Sequence, residues 1–394
     1  MSELALQLIQ KAKKDHPTYL EIGRCGLTDL PEELFDELPD LETLIVSSLW
    51  SNWNGEEWID KRSENNGKLN QFARLHPRLG ELKSLKKLVF GGWGNRWKIS
   101  DLSPIANLIH LEHLNLRKNQ IQKIQNLDKL SNLQDLNLYS NRIQNIENLD
   151  KLSNLQALDF RNNQIQKIQN LDKLSNLQDL NLTCNKIQKI QNLDNLLNLQ
   201  SLYIRNNQIQ NIENLDNLSN LQSLFLSENY IQKIQNLDKL SNLQNLDLSE
   251  NQIQKIQNLD NLSNLQDLNL SENQIQKIQN LDNLSNLQSL FLYDNYIQKI
   301  QNLDKLINLQ ALDLSENQIQ KIQNLDKLSS LQALYLSENQ IDTITKNFVF
   351  KPNLTSLQLQ KNPIKQIPQS VYNFDYPNSC LSSLRDYFKR RERT

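Results

Sequence analysis

The chain has 394 residues, 38% of them hydrophobic, and a formal net charge of −2. That balance gives no global attraction to nucleic acid or to an anionic membrane, so electrostatic recognition has to be local. No basic n-region precedes an apolar stretch at the start and no run of about 18 apolar residues occurs; with three widely spaced cysteines, secretion, membrane insertion and a disulfide framework are not expected, and a cytoplasmic location is.

Ser2 to Lys14 carries Leu4, Leu6, Leu8, Ile9 and Ala12 at a spacing that suits a short amphipathic helix, so residues 1–18 read as a helical cap over a first open edge. Residues 19–110 are irregular. Leu20, Ile22, Cys25, Leu27 and Leu30 occupy apolar slots, and Leu41, Leu44 and Val46 begin another strand before the pattern disappears until Leu82. The gap, about residues 48–80, is a Trp-rich insertion holding Trp50, Trp53 and Trp58 among polar residues, and Trp93 and Trp97 flank a second, shorter one. Two readings stay open for Trp50, Trp53 and Trp58: a recognition loop, because Trp is enriched at binding hot spots, or a segment folded back to cap the irregular repeats.

Residues 111–353 hold eleven consecutive 22-residue units running from Leu111 to Pro352, of which Leu265 to Asn286 (LQDLNLSENQIQKIQNLDNLSN) is representative. Counting from the first leucine of a unit, apolar residues fall at offsets 0, 3, 5, 10, 13, 16 and 19 and asparagine at offset 8. In this unit they are Leu265, Leu268, Leu270, Ile275, Ile278, Leu281 and Leu284, with Asn273. This is a leucine-rich pattern with a short strand in its first third, and one unit cannot bury its own apolar face, so the units must stack. The fold class that follows is an α/β-type leucine-rich repeat solenoid. It has a curved parallel β-sheet on the concave face, turns and short 3-10 segments on the convex face, and helical caps. The asparagine column, Asn119 to Asn339 and then Asn362, reads as structural: an amide can serve both donors and acceptors of a buried turn.

Residues 354–394 read as a last repeat and a C-terminal helical cap or linker. Leu354, Leu357, Leu359, Ile364 and Ile367 continue the slots, Asn362-Pro363 and Pro368 mark a stop, and Leu381 to Arg393 has helical spacing with Lys389, Arg390, Arg391 and Arg393 near its end.

Offsets 2, 4, 6 and 7 are expected to point away from the core in aligned columns. Arg117, Tyr139, Arg161 and Arg205 stand at offset 6 of the early units, and Glu228, Glu250, Glu272, Asp294, Glu316 and Glu338 at offset 7 of the later ones. Tyr203, Phe225, Phe291 and Tyr335 at offset 4 and Tyr293 at offset 6 add aromatics. Ordered charge beside exposed aromatics points to a protein partner bound on the concave face. The Lys and Asp columns of the other edge largely offset one another and read as solvated.

Chemistry is sparse. There is no phosphate-cradling glycine loop, and no nucleophile–base couple. His110 and His113, with Glu112 between, are the only close histidine pair. Neither an enzyme, a cofactor, a metal, nor a nucleic acid, membrane or small-molecule partner is expected. A hydrolase at His110 and His113 is the least favoured alternative.

The 22-residue units resemble those of bacterial internalins and of the leucine-rich regulatory subunit of a eukaryotic protein phosphatase. The missing leader counts against a secreted internalin-like adhesin. The ends, Ala5 to Lys13 with Leu27 to Glu33, and Asn362 to Pro368 with Cys380 to Phe388, resemble the borders of the repeats in bacterial Roco-type proteins. That resemblance implies a scaffold or regulatory arm, with the repeats preceding a GTPase in that family. A phosphatase regulatory subunit is the alternative.

Overall fold

The computed structural model describes residues 2–92, 97–373 and 379–391; Trp93 and Arg393 lie outside them. The chain forms two compact units, Met1–Asn207 and Gln208–Thr394.

The first unit opens with α1 (Glu3–Asp15), β1 (Tyr19–Glu21), α2 (Glu32–Glu37) and β2 (Thr43–Ile45), followed by a pair, β3 (Leu49–Trp53) and β4 (Trp58–Arg62). Then come β5 (Lys87–Val89), β6 (His113–Asn115), β7 (Asp135–Asn137), β8 (Ala157–Asp159), β9 (Asp179–Asn181) and β10 (Ser201–Tyr203). Strands β1, β2 and β5 to β10 form a parallel sheet in chain order with each central leucine beside the next, as Leu114 beside Leu136. Strands β3 and β4 pair only with each other, antiparallel.

The second unit contains β11 (Ser223–Phe225), β12 (Asn245–Asp247), β13 (Asp267–Asn269), β14 (Ser289–Phe291), β15 (Ala311–Asp313) and β16 (Ala333–Tyr335). These are followed by α3 (Lys346–Val349), β17 (Ser356–Gln358), α4 (Gln369–Tyr372) and α5 (Leu381–Arg391). Its strands β11 to β17 are parallel and in register.

The seven apolar offsets form the core: Leu265, Leu268, Leu270, Ile275, Ile278, Leu281 and Leu284 are fully buried. Opposite the strands, regular repeats use successive turns, with Leu284 N donating to Leu281 O at 3.0 Å and Leu287 N to Leu284 O at 3.1 Å. Among the described residues the 3-10 helices fall in the irregular region, at Pro77–Glu81 and Ser103–Ile105.

Three asparagine columns tie each repeat to the one before. At offset 8, Asn273 Nδ2 donates to Leu248 O at 3.0 Å and Leu270 O at 3.2 Å, while its Oδ1 accepts from Ile253 N at 2.9 Å. At offset 15 the asparagines are left-handed, as Asn258 with φ 57°, a region where Asn is the least penalised residue after Gly. From there Asn258 Nδ2 reaches Ile234 O at 2.8 Å. At offset 21 an exposed amide, such as Asn264, donates to Ser241 O at 2.9 Å.

The irregular start borrows the same device. Asn70, from the insertion, accepts from Cys25 N and Leu27 N and donates to Ile22 O and Val46 O, all within 3.0 Å. Phe72, Phe90 and Trp97 pack behind it with ring centroids 4.7 to 5.4 Å apart. Burial pushes the Cys25 thiol up to about 11 and the Cys380 thiol up to about 12, and the three cysteines form no disulfide.

Helices close the outer edges. Ser2 caps α1, which buries Ala5, Ile9 and Ala12. At the other end the segment before α5 continues the ladder past β17: Leu357 N donates to Ser379 Oγ at 2.9 Å and Cys380 N to Leu357 O at 2.8 Å. Arg385 of α5 then donates to Val349 O, Lys351 O and Leu354 O, so this helix caps the second unit. Among the described residues no helix is long and apolar enough to cross a membrane.

The ladder sets a measurable contrast. Asn273→Ala strands buried backbone groups of two repeats and is expected to cost about 3 kcal/mol, whereas Asn264→Ala at the exposed column costs less than about 1 kcal/mol. Urea unfolding midpoints check this; equal shifts for the two variants would contradict it.

Candidate functional site

In the first unit the Trp-rich insertion becomes a hairpin laid on the outward face of the sheet. Its turn is built by Asn54, whose Oδ1 accepts from Glu56 N and Glu57 N, with Gly55 at φ 102°, where a side chain would be strained. Trp50 is buried against Ile45 and Val89, and the Trp53 and Trp58 rings lie 5.7 Å apart with their planes tilted by 55°. Polar contacts then step across the strands. Asn115 Nδ2 donates to Ser51 O at 2.8 Å, Arg117 Nη1 to Ser51 Oγ at 2.8 Å and to Asp60 at 3.4 Å, and Trp58 Nε1 to Asp179 Oδ1 at 3.4 Å. The segment folds back over the strand face rather than over a sheet end, with Trp50 buried and Trp53 and Trp58 half-exposed.

Charges are therefore held out of water here. Asp135, Asp159 and Asp179 at offsets 2 and 4 are buried. His113 Nδ1 engages the Asp135 carboxylate, and Arg161 grips Asp159 through both Nε and Nη2, the shorter bond 2.7 Å. The Arg117 and Arg161 guanidinium carbons each lie 5.2 Å from the centre of the Tyr139 ring, a double cation–π contact. Burial pushes the Asp179 carboxyl up to about 7, reinforced by Asp159 and opposed by the Trp58 N–H and Arg161. Burial likewise lowers the Lys87 ammonium.

In the second unit offsets 2 and 4 are more exposed. Glu250, Glu272, Asp294 and Glu338 are exposed, Glu228 and Glu316 half-buried, and Phe225, Phe291, Tyr293 and Tyr335 half-exposed beside them. The acidic column runs from Glu228 to Glu338 and ends on Lys361, which pairs with Glu338. Each of these acids has a left-handed backbone, φ 50° to 54°. Burial and then the neighbouring acids Glu250, Asp294, Glu316 and Glu228 raise the Glu272 carboxyl. Beside them a cavity of about 600 Å³ is lined by Tyr293, Asp313, Glu316, Glu338, Gln358 and Gln360. Burial and Glu316 push the Tyr293 hydroxyl up to about 12, and burial raises the Asp313 carboxyl.

The residues singled out in the sequence thus separate. Phe225, Phe291, Tyr293, Tyr335 and the acids gather on the second unit's face, while Tyr139, Arg161 and the half-exposed Tyr203 lie on the first unit's, with Arg205 exposed. Arg117, expected in the open, lies beneath the hairpin at 6% exposure because Ser51 and Asp60 claim its guanidinium. Asp135, Asp159 and Asp179 were not singled out in the sequence; the available signal was acidic residues at strand positions, and their environment comes from His113, Arg161 and the Trp58 N–H. His113 is engaged by Asp135, and among the described residues no group of three His, Cys, Asp or Glu is placed to hold a metal.

A leucine-rich repeat family model of two copies matches residues 109–151, 153–195 and 197–239, and overlapping stretches from 241 to 348. An internalin from Listeria monocytogenes is 31% identical, with 76% of this chain and 89% of that one covered and a TM-score of 0.69. A leucine-rich repeat protein of Leptospira interrogans is 26% identical over 91% of this chain and 94% of its own, with a TM-score of 0.73. No curated protein matches the chain in sequence.

Asp179 supplies a pH test of the covered face. With its folded value near 7 and the ordinary one at 3.8, the folded state binds the extra proton between those limits, so this group's contribution to stability falls as pH rises from about 4 to about 7 and then levels. Asp179→Asn keeps the acceptor for Trp58 and removes the charge. The variant is expected to match the parent near pH 4 and to exceed it near pH 8 by on the order of 3 kcal/mol. A difference in thermal stability that does not change with pH would contradict this.

Proposed function

The chain belongs to the leucine-rich repeat family, with a 22-residue, internalin-like period, and from that premise we propose that it is a non-enzymatic binding module whose partner is another protein. The docking surface is the strand side of the second unit, around Phe291, Tyr293 and Tyr335. One observation carries this reading: half-exposed aromatics and exposed acids share an ordered sheet face there, while the matching face of the first unit is occupied by the chain's own hairpin. Amphipathic rings with few rotatable bonds suit a binding hot spot, and the fixed acids beside them set orientation. The Roco-like ends support a regulatory arm as the setting for such a module.

Affinity capture with the full chain tests the proposal. Tyr293→Ala combined with Tyr335→Ala is expected to reduce a captured protein by more than about tenfold, the scale of a hot-spot loss. Lys277→Ala with Lys299→Ala on the opposite edge is expected to leave it unchanged. Retention of the partner by the tyrosine variant would overturn the proposal.

A further inference from the structure

The acids of the second unit are not there for the backbone's convenience. Offset 7 is left-handed in every regular repeat, and the first unit meets that demand at two of its positions with asparagine, Asn162 at φ 54° and Asn206 at φ 52°. Glutamate occupies the same conformation at Glu250, Glu272, Glu316 and Glu338, where it is costlier than asparagine and where stacking brings like charges together. Local geometry favours another residue, so the side-chain charge calls for a different account.

The first unit shows what such a face holds. The β3–β4 hairpin is an extended segment whose side chains and carbonyls engage offsets 2, 4 and 6: Trp58 N–H on Asp179, Ser51 O on Asn115, and Ser51 Oγ and Asp60 on Arg117. In the second unit, offset 6 is mostly serine in place of arginine, offset 7 is acidic, and Asp267 and Asp313 stand at offsets 2 and 4. At its far end a cation already sits on the column, since Lys361 of the same chain pairs with Glu338.

We infer that this face takes an extended segment of another protein rich in lysine or arginine, its cationic side chains set against Glu272, Asp294 and Glu316 and one of them entering the cavity beside Tyr293 and Asp313. The inference rests on the reading of this face as the docking surface and adds the chemical class of the partner. A guanidinium would meet carboxylates on one side and the Tyr293 ring on the other, combining charge-assisted hydrogen bonding with cation–π contact.

The test uses the full chain and a dye-labelled peptide of alternating arginine and serine, with a glutamate–serine peptide of equal length as control, read by fluorescence anisotropy. The basic peptide is expected to bind, the acidic one not, and raising salt from about 0.05 to 0.5 M is expected to weaken binding strongly. Glu272→Gln with Glu316→Gln should weaken it by more than about tenfold, while Asp260→Asn with Asp282→Asn, the same charge change on the opposite edge, should alter it less than about twofold. Equal losses in the two variants, or none in either, overturn the inference. If a captured protein is lost with Tyr293→Ala and Tyr335→Ala but kept with Glu272→Gln and Glu316→Gln, the face stands and the basic partner falls.

Discussion

Everything on the strand-side face depends on the buried amide at offset 8. A side chain with two donors and an acceptor joins the strand exit of one repeat to that of the previous one, as Asn273 does for Leu248, Leu270 and Ile253. Within each unit this fixes successive strands in register, so offsets 2, 4, 6 and 7 become straight columns about 4.8 Å apart. A charge placed once in a repeat is thereby copied into a row, and a row of like charges is a property that no isolated loop would hold.

Those rows are treated in two ways. In the first unit the carboxylates Asp135, Asp159 and Asp179 are buried and matched by His113, Arg161 and the Trp58 N–H of the hairpin. Taking such groups out of water is costly unless each is paired, and these partners make the burial tolerable. In the second unit Glu250, Glu272 and Asp294 stay in water, where mutual repulsion is partly screened and the face stays accessible. The difference between covered and open carboxylates, more than any single residue, distinguishes a self-satisfied surface from one suited to a partner.

The regular repeats were legible because their signal is written many times: Leu265 to Leu284 show both the apolar offsets and the buried asparagine, and the structure buries them all. Less visible were features written once. Asn70 acts as the ladder residue for Cys25 and Leu27 from far along the chain, a long-range pairing that no local pattern announces. The left-handed asparagines at offset 15 were present as a column, but turn chemistry, not apolar period, was needed to see their purpose. For the candidate site, offsets 2, 4, 6 and 7 marked the positions off the leucine core, but the burial of Arg117 depended on where Trp50 to Arg62 folded, a tertiary choice that overrides pattern.

The most direct test of a covered first face and an open second one is carboxyl labelling of the folded chain with a carbodiimide and a small amine, read residue by residue by mass spectrometry. Glu250, Glu272, Asp294 and Glu338 should label readily, and Asp135, Asp159 and Asp179 should label only on unfolding. Rapid labelling of all three aspartates in the native protein would show that this face is open to water and would contradict the account.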